Sequence, residues 1–253
     1  MPRSRLPMVN GAPFDDALLD RLRRLISLFD SGVFGETSHE VHPGLDPGAR
    51  ENYLYFTLPV ALNYQRKSEM LWESADMTYR DPATRFVFDP PAVVAEPDRA
   101  AMALTKYKLA LQPKRHSYIW QTLSATLHQC HGGDPRLFLE ECGWKVTEVV
   151  RQLRERKTEF PYLNGNKMAN YWLYILSRFT DAPLADRSQI SIIADTHVKR
   201  ATAFLGILDE ADVGDAEIVG FRWAAGLQGS GIAPCDLHAP LWRWSRAGFS
   251  PSL

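Results

Sequence analysis

The sequence predicts an all-α or nearly all-α protein, and three observations carry that prediction. Apolar residues recur at three- and four-residue spacing along most of the chain. The segments marked in this way open on Asp or Pro and stop at Gly or Pro, the chemistry of helix ends. Only two runs look strand-like: "TRFVFDP" at 84–90 and "ISIIA" at 190–194, just ahead of Asp195.

The elements follow in chain order. "DDALLDRLRRLISLFDSG" has an acidic start at Asp15 and Asp16. Its apolar stripe runs through Leu18, Leu19, Leu22, Leu25, Ile26 and Phe29 to a stop at Gly32. "ENYLYFTLPVALNYQ" and "SEMLWESA" read as two buried helical pieces interrupted by Pro59, and "PDRAAMALTKYKLALQPKRH" as a helix ended by Pro113. "SYIWQTLSATLHQC" continues the helical pattern. "DPRLFLEEC" opens with Asp134 as N-cap and Pro135 in the first turn. Residues 35–50 and 80–98 are rich in Pro, Gly and Asp and are expected to be loops. Repeats and low-complexity segments are absent from the sequence.

Composition narrows the function classes. The chain has 253 residues, enough for one large domain or two tightly packed ones, and a formal net charge of −1. A non-specific nucleic-acid coat, which needs a global basic field, is excluded; an enzyme with one basic face is not. No apolar run is long enough to cross a bilayer, and the start "MPRSRLPMVNGAPFDD" lacks the apolar core of a secretory signal. Three cysteines, Cys130, Cys142 and Cys235, make a poor disulfide framework and suit a reducing cytoplasm.

"VTEVVRQLRERKTEFPYLNGNKMANYWLYIL" is the most informative stretch. It reads as an amphipathic helix, a tight hairpin "FPYLNGN" and a second helix opening at Lys167. In such a helix-hairpin-helix the turn's N–H groups and the second helix's N-terminus point outward together and suit one backbone phosphate. Leu163, Asn164, Gly165 and Asn166 form that turn. Lys145, Arg151, Arg154, Arg156 and Lys157 flank it against Glu148, Glu155 and Glu159. The plainer reading is a loop between two core helices with a solvated charged flank.

Lys167 opens a helix whose following residues are apolar or aromatic. An ammonium partly desolvated near a helix N-terminus is disfavoured, and a neutral amine is a nucleophile able to form a Schiff base. Asp195 lies 28 residues later, at the N-cap position of "THVKRATAFLG", where backbone donors favour an ionised carboxylate.

"GNKMAN" followed by "ADTHVKR" resembles the helix-hairpin-helix DNA glycosylases, including the endonuclease III type. "ALNYQRKSEMLWESA", "KMANYW" and the closing "GSGIAPCDLHAPLW" bring the likeness closest to the archaeal 8-oxoguanine DNA glycosylases, in patches over residues 60–245. The resemblance implies an all-α, two-lobed helix-hairpin-helix fold with a cleft between the lobes. On this expectation residues 1–253 form one compact domain, with the hairpin and catalytic segment over 144–206 and terminal helices forming the base pocket. It implies an N-glycosylase with lyase activity that needs no cofactor or metal. The partner would be double-stranded DNA carrying a modified purine, 8-oxoguanine first, and the protein would act as a monomer.

By the same resemblance, Lys167 attacks the sugar C1′ of an extruded nucleotide and Asp195 stabilises the charge that develops. Tyr171, one turn after Lys167, and Trp242, at the closing tryptophan, sandwich the base, while Gln65 reads its edge. Arg154 and Lys157 join the turn residues in holding DNA.

The chain departs from the family in two places. Leu163 stands where the hairpin's first glycine belongs. "Asp236-Leu237-His238" inverts the family's histidine–leucine–aspartate order, so His238 takes the base-contacting place and discrimination at the base edge is open. Two other functions stay in view: an N-glycosidase of free modified nucleosides or nucleotides, on the scaffold resembled by queuosine salvage enzymes, and a catalytically inactive DNA-binding module.

Other clusters carry less. "HQCH" (His128, Cys130, His131) with Cys142 has poor spacing for tetrahedral zinc, and three cysteines cannot build a four-cysteine iron–sulfur cluster. "HEVH" at 39–42 lacks His-Glu-x-x-His spacing. Lys114, Arg115 and His116 either contact phosphates or cap a helix.

Overall fold

The computed structural model describes residues 11–35, 40–63 and 65–253. The N-terminal stretch before Gly11, His39 of "HEVH" and Tyr64 of "NYQ" lie outside the described residues. The α-helices, in order, are α1 (Asp16–Asp30), α2 (Arg50–Thr57), α3 (Ser68–Arg80), α4 (Pro90–Ala95), α5 (Pro97–Lys106), α6 (Pro113–His131), α7 (Pro135–Glu141), α8 (Val146–Glu155), α9 (Asn166–Phe179), α10 (Thr196–Phe204), α11 (Glu210–Val213), α12 (Ala216–Gly226) and α13 (His238–Arg246). Short 3₁₀ turns fall at Pro59–Leu62, Arg85–Phe88, Arg187–Gln189 and Pro234–Leu237. Among the described residues there is no strand, so the protein is all-α.

Both strand-like runs are corrected by their surroundings. Arg85–Phe88 is a 3₁₀ turn closed by Val87 N–H on Thr84 C=O (3.1 Å) and Asp89 N–H on Phe86 C=O (2.9 Å). Neighbouring helices hold it through the Trp120 indole, which donates to Val87 C=O at 2.8 Å, and through Arg85 Nε, which donates to Tyr79 C=O at 2.7 Å. Residues 190–194 are extended and largely buried, and Asp195 N–H bonds back to Ile193 C=O at 2.8 Å. Among the described residues neither run has a neighbouring strand to pair with, so β-branched composition alone does not make a ladder.

Two helix boundaries also differ from the expectation. The expected loop at 80–98 contains α4, opened by Pro90 at its first turn. The helix expected to run to Pro113 stops at Lys106. Lys108 takes a left-handed φ of +58°, Ala110 N–H returns to Leu104 C=O at 2.8 Å, and Pro113 begins α6 instead of ending α5.

The chain divides into two compact units. One is His39–Asp186. Five of its aromatic residues on α2, α3, α6 and α9, namely Tyr55, Phe56, Trp72, Trp120 and Trp172, are almost fully buried. Each of its three buried indoles has an acceptor: Trp72 on the Tyr171 hydroxyl (3.0 Å), Trp120 on Val87 C=O and Trp172 on Thr57 Oγ1 (3.0 Å). A buried indole N–H without such a partner costs on the order of 1–3 kcal/mol.

The other unit joins Met1–Ser38 to Arg187–Leu253. Its core gathers Leu19, Leu22 and Leu25 of α1, Val198 and Ala201 of α10, Val219 and Trp223 of α12, and Leu241 and Trp244 of α13. Trp223 donates to Thr202 Oγ1 at 2.9 Å and Trp244 to Pro251 C=O at 2.9 Å. Among the described residues, no helix is long and apolar enough to cross a membrane.

Candidate functional site

In the unit His39–Asp186, α8 buries Val146, Val149 and Leu153 and turns its charged residues outward. Its first turn is capped from a distance. The Asp186 carboxylate accepts from Val146 N–H (2.5 Å), Thr147 N–H (3.3 Å) and the Thr147 hydroxyl (3.1 Å). The ten residues 156–165 then reverse the chain. Phe160 and Leu163 are buried and anchor the turn, Tyr162 takes φ +68°, and Asn164 Nδ2 donates to Lys157 C=O at 2.9 Å. With its side chain fully buried, Leu163 can offer a ligand only its backbone.

Helix α9 opens at Asn166, one residue earlier than expected, with Gly165 as an N-cap that has no side chain to offer. Its first internal bond runs from Ala169 N–H to Gly165 C=O at 2.9 Å. The N–H groups of Asn166, Lys167 and Met168 therefore have no acceptor among the described residues, as expected of an uncapped helix start. A methyl group built on Gly165 would come no nearer to the protein than 4.0 Å, from Tyr162 C=O, and Gly165 has an ordinary φ of −77°. Neither the fold's sterics nor its backbone geometry demands glycine here.

The basic flank divides in two. Arg151 lies between Glu148 and Glu155 and holds the Glu148 carboxyl down to about 2. Arg156 pairs with Glu159 and Glu141 and covers the Phe138 and Phe160 rings. Arg154, Lys157 and Lys167 are exposed and make no ion pair among the described residues; Arg154 donates to Asn166 Oδ1 at 3.2 Å. The sequence pointed to a partly desolvated Lys167, whereas the structure exposes it, because α9 buries its middle, Ala169–Leu176, and leaves its first turn outside the core.

Tyr171 is buried rather than open. Its hydroxyl accepts from the Trp72 indole at 3.0 Å, pairs with Ser68 Oγ at 2.9 Å and donates to Glu40 Oε1 at 3.3 Å. Burial and then the Glu40 charge raise its pKa well above the ordinary value, so it stays a phenol. Glu40 belongs to the "HEVH" stretch, which the sequence weighed only as a metal motif. Gln65 is exposed, at φ +50°, in the turn before α3. Its neighbour Arg66 fixes that turn by donating to Leu109 C=O (2.8 Å), Met70 C=O (3.0 Å) and Ser74 Oγ (3.3 Å).

In the "QPKRH" stretch Lys114 and Arg115 are exposed, and no side chain caps the start of α6. His116 is buried and its Nδ1 accepts from Leu111 N–H at 3.2 Å, while the Arg115 guanidinium lies 4.9 Å from the Tyr162 ring centre in the α8–α9 turn.

In the other unit Asp195 is the N-cap of α10. Its Oδ1 accepts from His197 N–H and Val198 N–H, both at 2.9 Å. Asp195 is half-buried. His197 sets its ring against Trp242 (5.3 Å, 70° between planes) and its Nδ1 3.3 Å from Ser245 Oγ. The Arg246 guanidinium lies 4.6 Å from the Trp242 ring centre and that of Arg243 5.6 Å away. Asp236 is taken up structurally, by Arg187 at 2.5 Å and Ala233 N–H at 3.2 Å. His238 is half-buried at the start of α13.

The buried thiols of Cys142 and Cys235 are both pushed up to about 12 by desolvation and are poor nucleophiles. Among the described residues, no three His, Cys, Asp or Glu side chains gather as a metal-binding group.

What these features define is an all-helical protein with an outward-facing, positively flanked helix start on α9 and a doubly bonded carboxylate cap on α10. In comparisons with known proteins, no family model and no curated protein matches the chain.

Proposed function

We propose that the chain is a DNA N-glycosylase with lyase activity, acting on a modified purine, with 8-oxoguanine the first substrate to test. One observation carries the reading: α9 begins with three N–H groups that have no internal acceptor, flanked by Arg154, Lys157 and Lys167, whose charges are unspent. Backbone donors and a helix dipole facing outward beside cations suit a backbone phosphate. The missing Cβ at Gly165 leaves room for close approach.

In this chemistry the Lys167 amine, as its free base, forms a bond to C1′ while the C1′–N bond breaks. The electron pair leaves with the base, which takes up a proton. Asp195 stabilises the cationic sugar. The amine's proton then passes to O4′ as the C1′–O4′ bond breaks, opening the ring to the imine, and loss of a proton from C2′ expels the 3′ phosphate and nicks the strand. Because Lys167 is exposed here, the desolvation that favours a neutral amine comes with bound DNA. Gln65, Tyr171, His238 and Trp242 are the residues proposed for the base. A base stacked on the ring face of Trp242 that Arg246 covers displaces that guanidinium.

Borohydride reduction during turnover on duplexes, each with one modified purine, is expected to trap a covalent protein–DNA adduct, and Lys167→Gln to abolish it. Full trapping in Lys167→Gln overturns the assignment. The exposure of Lys167 favours one second reading, a DNA-binding hairpin without chemistry. That reading predicts salt-sensitive duplex binding with neither adduct nor base release.

A further inference from the structure

The face of α6 that carries Lys114, Arg115 and Tyr118 has no part in the chemistry above. The three residues share one side of the helix's first turns and are exposed, Tyr118 with 63% of its surface open. His116, Ser117, Ile119 and Trp120 turn inward. Because Arg115 lies over Tyr162, this face continues directly into the α8–α9 turn and its phosphate-facing end. Lys114, like Arg154, Lys157 and Lys167, makes no ion pair among the described residues, and Leu111, 48% exposed, borders the patch.

We infer that this face is a platform for an unpaired DNA strand, with Lys114 and Arg115 on its phosphates and the Tyr118 ring stacked on one of its bases. An exposed ring set among cations adds nothing to the core. The same combination suits a polyanion whose bases are unstacked, because every base offers a π face and each phosphate a charge. A fully paired duplex offers the phosphates alone. The inference rests on the nucleic-acid reading of the hairpin and extends it from a single phosphate seat to a track along one strand.

The test compares two labelled DNAs by fluorescence anisotropy over a range of salt. One is a fully paired duplex; the other is the same duplex with a short central run of mismatched thymines. Wild type is expected to bind the mismatched duplex about tenfold more tightly. Tyr118→Ala should abolish that preference and Tyr118→Phe should keep it. Both should melt with wild type, since the side chain is on the surface. Lys114→Ala should lower the log–log salt slope by about one. Equal wild-type affinity for the two DNAs, or a preference that survives Tyr118→Ala, overturns the platform and leaves the hairpin reading intact. No salt-dependent binding to either DNA overturns both.

Discussion

Substitution of Asp195 by Asn and by Ala separates its two roles, because one oxygen carries the structural one. Oδ1 takes both N–H bonds of the α10 cap, so an asparagine carbonyl can keep them while losing the charge. Alanine leaves the His197 and Val198 N–H groups without an acceptor. Loss of an N-cap costs about 0.5–2 kcal/mol, and Asn caps about as well as Asp. In a chain of this size 1 kcal/mol moves the melting temperature by about 2–4 °C. Asp195→Ala is therefore expected to melt about 1–8 °C below wild type and Asp195→Asn within about 1 °C of it. If the carboxylate also steadies positive charge on the sugar, both variants lose base release by on the order of a hundredfold or more. Thermal melts and single-turnover base release on one protein batch read both quantities. The reasoning fails if Asn and Ala melt alike, or if the folded Asn variant releases base at the wild-type rate.

Two further predictions concern stability. A methyl group on Gly226 would meet the Phe14 ring at 2.3 Å, a ring also fixed by the Phe14 N–H to Gly226 C=O bond (2.8 Å) and by edge contact with Trp223. Gly226→Ala is therefore expected to destabilise by about 1–3 kcal/mol, read as a lower urea midpoint. His116 and His131 both have pKa values below the ordinary 6.5, first through burial and then through Arg66 and Arg156 respectively. The fold thus holds both neutral: their contribution is complete above pH 6.5 and is lost as pH falls through that value toward the lower folded one. Melting temperature should drop between pH 7 and pH 5, with a shallower slope in His116→Gln/His131→Gln.

What was legible in the sequence was local. The α1, α7 and α10 caps at Asp15, Asp134 and Asp195 are visible because a cap and its donors lie within three residues. The early end of α5 rests on a lysine at positive φ, for which the sequence carries no glycine signal. The "TRFVFDP" turn is also held by Trp120, 33 residues from Val87, a contact that periodicity does not reveal. At the candidate site, Asp186 on α8, Glu40 on Tyr171 and Arg187 on Asp236 are paired across 40, 131 and 49 residues, beyond any periodicity argument. The exposure of Lys167 was missed for a related reason: an apolar helix sequence says which residues are buried, not how far the first turn projects beyond the core.

The hairpin reading makes a claim that stability and binding answer with opposite signs. If the start of α9 is uncapped so that a phosphate can occupy it, a side chain able to cap it is a competitor. Gly165 has the extended ψ of 142° that an N-cap residue needs, and open space at its Cβ. Gly165→Asp can accept from the N–H groups of Lys167 and Met168. Over glycine, that cap and the favourable helix dipole together contribute roughly 0.5–1 kcal/mol, or about 1–4 °C in melting temperature. The same carboxylate occupies and repels the phosphate position, so duplex affinity should fall about tenfold or more and the salt slope by about one. Gly165→Ser caps without adding charge, and is expected to stabilise slightly while weakening DNA less than Asp does. A purely structural hairpin predicts the gain in stability with no change in DNA affinity, and that result would move the phosphate seat away from α9. Loss of stability in Gly165→Asp would contradict the geometry itself, since it would mean that the three N–H groups already have acceptors.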